Sequence, residues 1–308
     1  MSIGFIFPGQ GSQSVGMLSG LAEAHEQVVA TFQEASSVLG FDLWQLVQEG
    51  PAEKLNSTEI TQPAMLAAGV ATYRVWLAEG GVTPTVMAGH SLGEYSALVC
   101  AGVLNFADAA SLVAERGRLM QQAVPAGSGA MAAILGLDDD TVKAVCDEAA
   151  EGDIVEPVNF NSPGQVVVAG SKDAVERATV VAKDKGAKRA VLLPVSVPSH
   201  CSLMKPAADE LAKKLAEIEF KTPEITVINN VDVASPTGAE EIRDALTRQL
   251  YQPVRWVEVI KSMHDQNIET VIESGPGKVL AGLNKRIVKT MNAYPVYDTE
   301  TLTKALSA

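Results

Sequence analysis

Val86-Met87-Ala88-Gly89-His90-Ser91-Leu92-Gly93-Glu94-Tyr95 carries an apolar run into a helical one, Glu94 to Ala101, across a Gly-x-Ser-x-Gly turn. A strand that turns sharply into a helix lifts the central hydroxyl clear of the sheet. It also leaves the first helical N–H groups unpaired beside that hydroxyl. Gly89 and Gly93 suit the turn because a Cβ at either position would crowd it. The unpaired amides and the positive end of the helix dipole can then hold an oxyanion. The segment predicts an α/β arrangement with Ser91 as a nucleophile at a strand's C-terminal end; an ordinary glycine-rich turn is the alternative.

Working outward, alternating apolar strands and amphipathic helices fill Met1 to about Val124 and end at the turn-rich joint Pro125-Ala126-Gly127-Ser128-Gly129. Beyond it the pattern changes. Ala130–Leu137 reads as a strand, Asp138–Ala150 as a helix and Ile154–Phe160 as a strand. A turn at Asn161-Ser162-Pro163-Gly164 leads to the strand Val166–Ala169, the helix Asp173–Lys185 and the strand Ala190–Pro194. This is the βαββαβ order of a ferredoxin-like unit. Ile225–Asn229 and Thr270–Glu273 with their helices return to the first pattern. The expected fold is a large α/β hydrolase-like subdomain with a parallel sheet core (1–125 and 199–308). The small ferredoxin-like subdomain (126–198) is inserted in it, the functional cleft lies between them, and Asn159 and Asn161 face that region. The tail after Asn292 reads as loosely held.

A nucleophilic serine needs a base, and the chain has four histidines. His90 adjoins Ser91 in an extended segment, so its side chain should point to the opposite face. His25 and His264 read as surface or boundary residues. His200 follows Val195-Ser196-Val197, a short strand ending at Pro198, with a helix opening soon after. Loops at strand ends are where catalytic groups usually sit, and His200 is the expected base. A second glycine-rich loop, Pro8-Gly9-Gln10-Gly11-Ser12-Gln13, follows the apolar run Ile3–Phe7. It matches neither a phosphate loop nor a dinucleotide fingerprint. It could lend an N–H to an oxyanion, or be a plain turn.

Composition bounds the answer. At 308 residues the chain can bury a large core, and its net charge of −13 argues against nucleic acid. The N-terminus lacks a basic segment and its apolar run breaks at Pro8, so no signal peptide is read. No apolar run is long enough to span a bilayer. The three cysteines, Cys100, Cys146 and Cys201, lack metal-ligand spacing and suit a reducing cytoplasm.

Several segments together resemble the malonyl-CoA:acyl carrier protein transacylases, the acyltransferases that load malonyl groups in bacterial fatty-acid synthesis. They are Phe7-Pro8-Gly9-Gln10-Gly11-Ser12-Gln13, Thr61-Gln62-Pro63-Ala64, Gly89–Tyr95, Arg116-Gly117, Pro198-Ser199-His200, Gln249-Leu250 with Pro253-Val254, and Gly275-Pro276-Gly277. The motif order is kept over nearly the whole chain, although Ser199 stands where many members carry an aromatic residue. The resemblance implies that Ser91 attacks the malonyl-CoA thioester and that His200 takes its proton. It further implies that the Gln10 and Leu92 N–H groups hold the oxyanion, and that a backbone carbonyl near Gln249 orients the imidazole. Arg116 would bind the malonyl carboxylate, with Gln62 also at the substrate site. Spacing alone leaves Arg116 ambiguous, since Glu115 and Arg118 lie nearby on the same helix, Asp108–Gln122, and would make a surface ion pair.

No cofactor is expected, because CoA is part of the substrate and phosphopantetheine arrives on the partner. Acyl carrier proteins are acidic, so binding one requires local patches that outweigh the chain's own charge. Lys188 and Arg189, and Lys285, Arg286 and Lys289, are the candidates; each is otherwise a solvated helix end. A cytoplasmic monomer is expected. A serine esterase or thioesterase on the same scaffold, which needs no Arg116, is the second reading. A non-catalytic carrier-binding protein is the third.

Overall fold

The computed structural model describes residues 2–195 and 197–308. Strands β1 (Ile3–Phe7), β2 (Val86–Gly89), β7 (Thr226–Ile228), β8 (Thr270–Ser274) and β9 (Asn292–Val296) form a parallel sheet in the order β7-β2-β1-β8-β9. The apolar runs of the sequence exist because this sheet is covered on both faces. Phe5 and Phe7 point into one core with Met87 and Ile272, whereas Ile6 joins Val86, Ala88 and Val271 in the core opposite. This is the two-residue alternation of a strand. Because the strands are parallel, the loops leaving β1, β2 and β7 emerge on one edge. Those loops carry Gln10, Ser91 and Asn230.

Strands β3 (Gly129–Leu135), β4 (Val155–Ser162), β5 (Gln165–Ser171) and β6 (Arg189–Leu192) make a separate antiparallel sheet in the order β4-β5-β3-β6. With the helices Asp139–Ala150 and Lys172–Asp184, this is the ferredoxin-like arrangement. Ala132, Ile134, Val166 and Val168 face those helices. Met131, Val167 and Ala169 face the other way, onto Cys201. The two units are laced by backbone hydrogen bonds from Phe160 N–H to Val254 O (3.0 Å) and from Val254 N–H to Val158 O (2.8 Å).

Two expectations fail. Val195 and Val197 belong to no strand, and Ser196 lies outside the described residues. β6 pairs with β3 only as far as Leu192, and Pro194, without an N–H, cannot extend the ladder. The segment after Asn292 is not loose. It forms β9 and the helix Thr299–Leu306, whose capping box at Asp298 and Thr301 satisfies its first N–H groups and whose Leu302 and Ala305 are buried.

The turn after β2 is packed backbone against backbone. A Cβ on Gly93 would lie 2.1 Å from Phe7 O, and one on Gly89 1.8 Å from the Gly93 carbonyl carbon. Gly93→Ala is therefore expected to destabilise the fold by about 3 kcal/mol, the upper end for overpacking, as a lowered urea midpoint at unchanged slope. An unchanged midpoint would mean that the two loops are free to separate.

Candidate active site

Ser91 sits between β2 and the helix Gly93–Cys100 with φ of 51°, the left-handed region that non-glycine residues enter only when the surroundings hold them there. Those surroundings are visible. The Ser91 N–H donates to Asn230 Oδ1 (2.7 Å), and Asn230 Nδ2 donates to Gly89 O (2.7 Å). Gln249 Nε2 donates to Ser91 O (3.1 Å). The serine's backbone is thus held on both sides by amide side chains from distant segments.

His200 also has positive φ (69°), fixed by its N–H donating to Leu250 O at 2.9 Å. Its Nδ1 lies 2.7 Å from Gln249 O, and its Nε2 lies 2.8 Å from Ser91 Oγ. A carbonyl only accepts, so Nδ1 carries the proton and Nε2 offers a lone pair to the Ser91 hydroxyl. Burial, with help from the Arg116 charge, pushes the imidazole down to about 3, which keeps it neutral near pH 7, with the Nε2 lone pair free to accept a proton.

Arg116 is 1 % exposed, and its hydrogen-bond partners are all neutral. Nη1 donates to Gln62 Oε1 (2.8 Å), and Nη2 donates to Gln249 Oε1 (3.0 Å) and to Ser91 Oγ (3.3 Å). The guanidinium also lies over the Tyr95 ring at 5.4 Å. A buried cation with neutral partners is costly to the protein and is a receptor for an anion beside the serine. Arg118, by contrast, pairs with Glu115 on the exposed side of the same helix. The helix begins at Phe106, capped by Asn105, two residues earlier than the sequence suggested.

Ser91, His200 and Arg116 line one cleft with Gln10, Leu92, His90 and Asn159. Its apolar wall includes Met120, Met131, Leu193 and Val197. Among the described residues, neither Gln10 N–H nor Leu92 N–H donates to a backbone or side-chain acceptor. The Gln10 loop reaches the serine turn closely, since a Cβ on Gly9 would fall 2.5 Å from His90 O. Gln62 is not part of the cleft wall; it stands behind Arg116, and its Nε2 faces Met120 Sδ at 3.4 Å.

His90 does not point away from Ser91. The chain turns there instead of running extended, so the opposite-face rule does not apply. Its ring lines the cleft, with Nε2 2.8 Å from Asn161 Oδ1 and Trp256 packed beside it. His25 lies 3.5 Å from Glu79, and His264 is in the exposed last turn of the helix Trp256–Asp265. Cys201 is buried, and its thiol donates to Pro198 O. Lys188, Arg189, Lys285, Arg286 and Lys289 are exposed, the first pair on the small unit and the others at the end of the helix Val279–Ile287. Among the described residues no cluster of metal-binding side chains is found, and no helix is long and apolar enough to cross a membrane.

Sequence reasoning missed Asn230 and Glu94. Asn230 is fully buried at the end of β7, and its N–H donates to Glu94 Oε2 at 2.9 Å. The signal available was two consecutive asparagines directly after an apolar strand.

The family model for the acyl transferase domain matches residues 4–302. The malonyl CoA-acyl carrier protein transacylase of Escherichia coli (strain K12) is 61% identical over 98% of both chains, and that of Bacillus subtilis (strain 168) is 46% identical over 99% of this chain and 96% of its own. Among solved structures, an acyl carrier protein S-malonyltransferase from Vibrio cholerae superposes with a TM-score of 0.96 at 63% identity, covering 99% of each chain. A malonyl-transacylase solved in complex with its type II PKS acyl-carrier protein superposes with a TM-score of 0.99 at 59% identity, over 100% of this chain and 99% of its own. With its motifs in order and its fold shared end to end, the chain belongs to the acyl transferase domain family.

Proposed function

We propose that this protein transfers a malonyl group from malonyl-CoA to the phosphopantetheine thiol of acyl carrier protein, through a malonyl ester on Ser91. The observation that carries the reading is the buried Arg116 cation, held by neutral partners 3.3 Å from Ser91 Oγ. An acyl group ending in a carboxylate gives that guanidinium the directly bonded anion that none of its hydrogen-bond partners supplies, and a bidentate pair would set the thioester carbonyl over the serine. Gln62 and Gln249 orient the guanidinium, so Gln62 serves the substrate through Arg116.

In the first half-reaction His200 Nε2 takes the Ser91 proton as Oγ attacks the thioester carbon. The Gln10 and Leu92 N–H groups receive the oxyanion. Collapse breaks the C–S bond, and the imidazolium returns its proton to the departing CoA sulfur. In the second, the carrier's thiol gives its proton to His200 and its sulfur attacks the ester. The C–Oγ bond then breaks and Ser91 is reprotonated. Gln249 O holds the imidazole through Nδ1, a role that needs an acceptor and not a full charge.

The reaction calls for no resident cofactor. The protein acts in the cytoplasm as a monomer, and the exposed Lys285, Arg286, Lys289, Lys188 and Arg189 offer the acidic carrier protein local positive charge against the overall −13. An esterase on this scaffold acting on acyl groups without a carboxylate would have no use for a buried guanidinium. Steady-state rates with both substrates varied decide between these readings. Parallel double-reciprocal lines with malonyl carrier protein as product are expected, whereas accumulation of CoA and free malonate would mark a hydrolase.

A further inference from the structure

Glu94 lies one turn after the nucleophile and is 3 % exposed, yet it touches no part of the cleft. Its Oε2 accepts two hydrogen bonds, from Asn230 N–H at 2.9 Å and from Gln249 Nε2 at 2.8 Å. Both partners are the groups that hold the reacting residues. Asn230 takes the Ser91 N–H and caps Gly89 O. Gln249 donates to Ser91 O, accepts from Arg116 Nη2 and, through its main-chain oxygen, fixes His200 Nδ1. The restraints on a strained serine, its base and the cation therefore meet at one carboxylate oxygen.

We infer that Glu94 is a positioning residue: its buried carboxylate fixes the Asn230 and Gln249 amides, and through them the alignment of Ser91 with His200. Without that oxygen, two buried N–H donors would lose an acceptor and both side chains would turn to find others. Burial raises the Glu94 carboxyl to about 7 against the pull of Gln249, Asn230 and Arg116. Such a group is retained for geometry more readily than for stability. Misplacement of a reacting group by about 1 Å can cost about 10²-fold in rate.

The inference rests on the acyl-transfer reading of the site, so its test uses a readout that does not require malonyl. Three variants separate position from charge and from packing. E94Q keeps an oxygen in place without the charge. E94D keeps the charge but withdraws it by one methylene. E94M keeps the volume and has no oxygen acceptor. The probe is an uncharged alkyl fluorophosphonate, which labels Ser91 only as fast as His200 activates it and carries no carboxylate for Arg116 to bind.

Labelling per folded molecule should fall in the order wild type, E94Q, E94D, E94M, with E94M slower than wild type by about 10²-fold. In malonyl transfer kcat should follow the same order, with KM for malonyl-CoA within about threefold of wild type. Labelling of E94M at the wild-type rate would overturn the inference, and so would E94D outperforming E94Q, which would make the charge the operative feature. If E94M does not fold, the order of E94Q over E94D decides alone. A wild-type protein that labels normally but transfers no malonyl would refute the transferase reading and leave the positioning role standing.

Discussion

Arg116→Ala lowers kcat/KM for malonyl transfer by about 10²–10³-fold and at the same time raises the slow transfer of acetyl groups. The loss corresponds to about 2.7–4 kcal/mol, within the roughly 2–5 kcal/mol found when one partner of a buried, hydrogen-bonded charge pair is removed. The gain has a separate origin. In the wild type an acetyl group leaves the guanidinium buried among Gln62, Gln249 and Ser91 Oγ without an anion. Once the cation is gone, the apolar wall of Met120, Met131 and Val197 accepts a methyl group without that cost. Competition assays with the two CoA esters read both effects. An equal fall for both substrates would mean that Arg116 supports the fold of the site and does not select the acyl group.

His200→Ala slows formation of the acyl-serine by about 10³–10⁴-fold, the upper part of the range for general-base catalysis, and rapid-quench measurement of CoA release checks it. The oxyanion donors and Arg116 remain, so some loading persists. The pH behaviour of this residue follows from its surroundings. Its folded value of about 3 lies below the 6.5 of an unperturbed imidazole, so the folded site holds neutral imidazole throughout the physiological range. Below pH 6.5 the unfolded chain binds a proton that the folded one refuses. His200 therefore opposes folding increasingly as pH falls toward 3, by at most about 1.4 kcal/mol per pH unit. His200→Ala should flatten that part of the stability profile. A loss of loading activity centred on pH 6.5 in the wild type, relieved by no other substitution, would contradict a neutral buried base.

Much of this site is legible in the sequence because the signals are local. The strand-to-helix turn around Ser91 announces itself through two glycines that the packing requires, one against Phe7 O and one against Gly93 itself. The ferredoxin-like unit is legible because each of its elements has its own periodicity and the order is diagnostic. Arg116 is a different case. Its neighbours Glu115 and Arg118 suggest a surface pair, which they do form, with each other. The missed signal is the stripe Ala109, Val113, Arg116, Gly117 and Met120, which is buried along one helix face and places Arg116 inward.

Asn230 and Glu94 were barely legible, the Asn229-Asn230 pair after an apolar strand being the one trace, because their bonds span 136 to 155 residues and leave no mark in spacing. The strand expected at Val195–Val197 failed for a related reason. Apolar residues there face the cleft wall, and alternation alone does not tell a strand from a loop that lines a pocket.

The covalent step is tested most directly by the intact mass of the protein after mixing with malonyl-CoA alone. One malonyl adduct per chain is expected, absent from Ser91→Ala and discharged onto the thiol when holo acyl carrier protein is added. A wild-type protein that releases CoA and stays at its unmodified mass, or an adduct that survives in Ser91→Ala, would contradict a malonyl-serine intermediate.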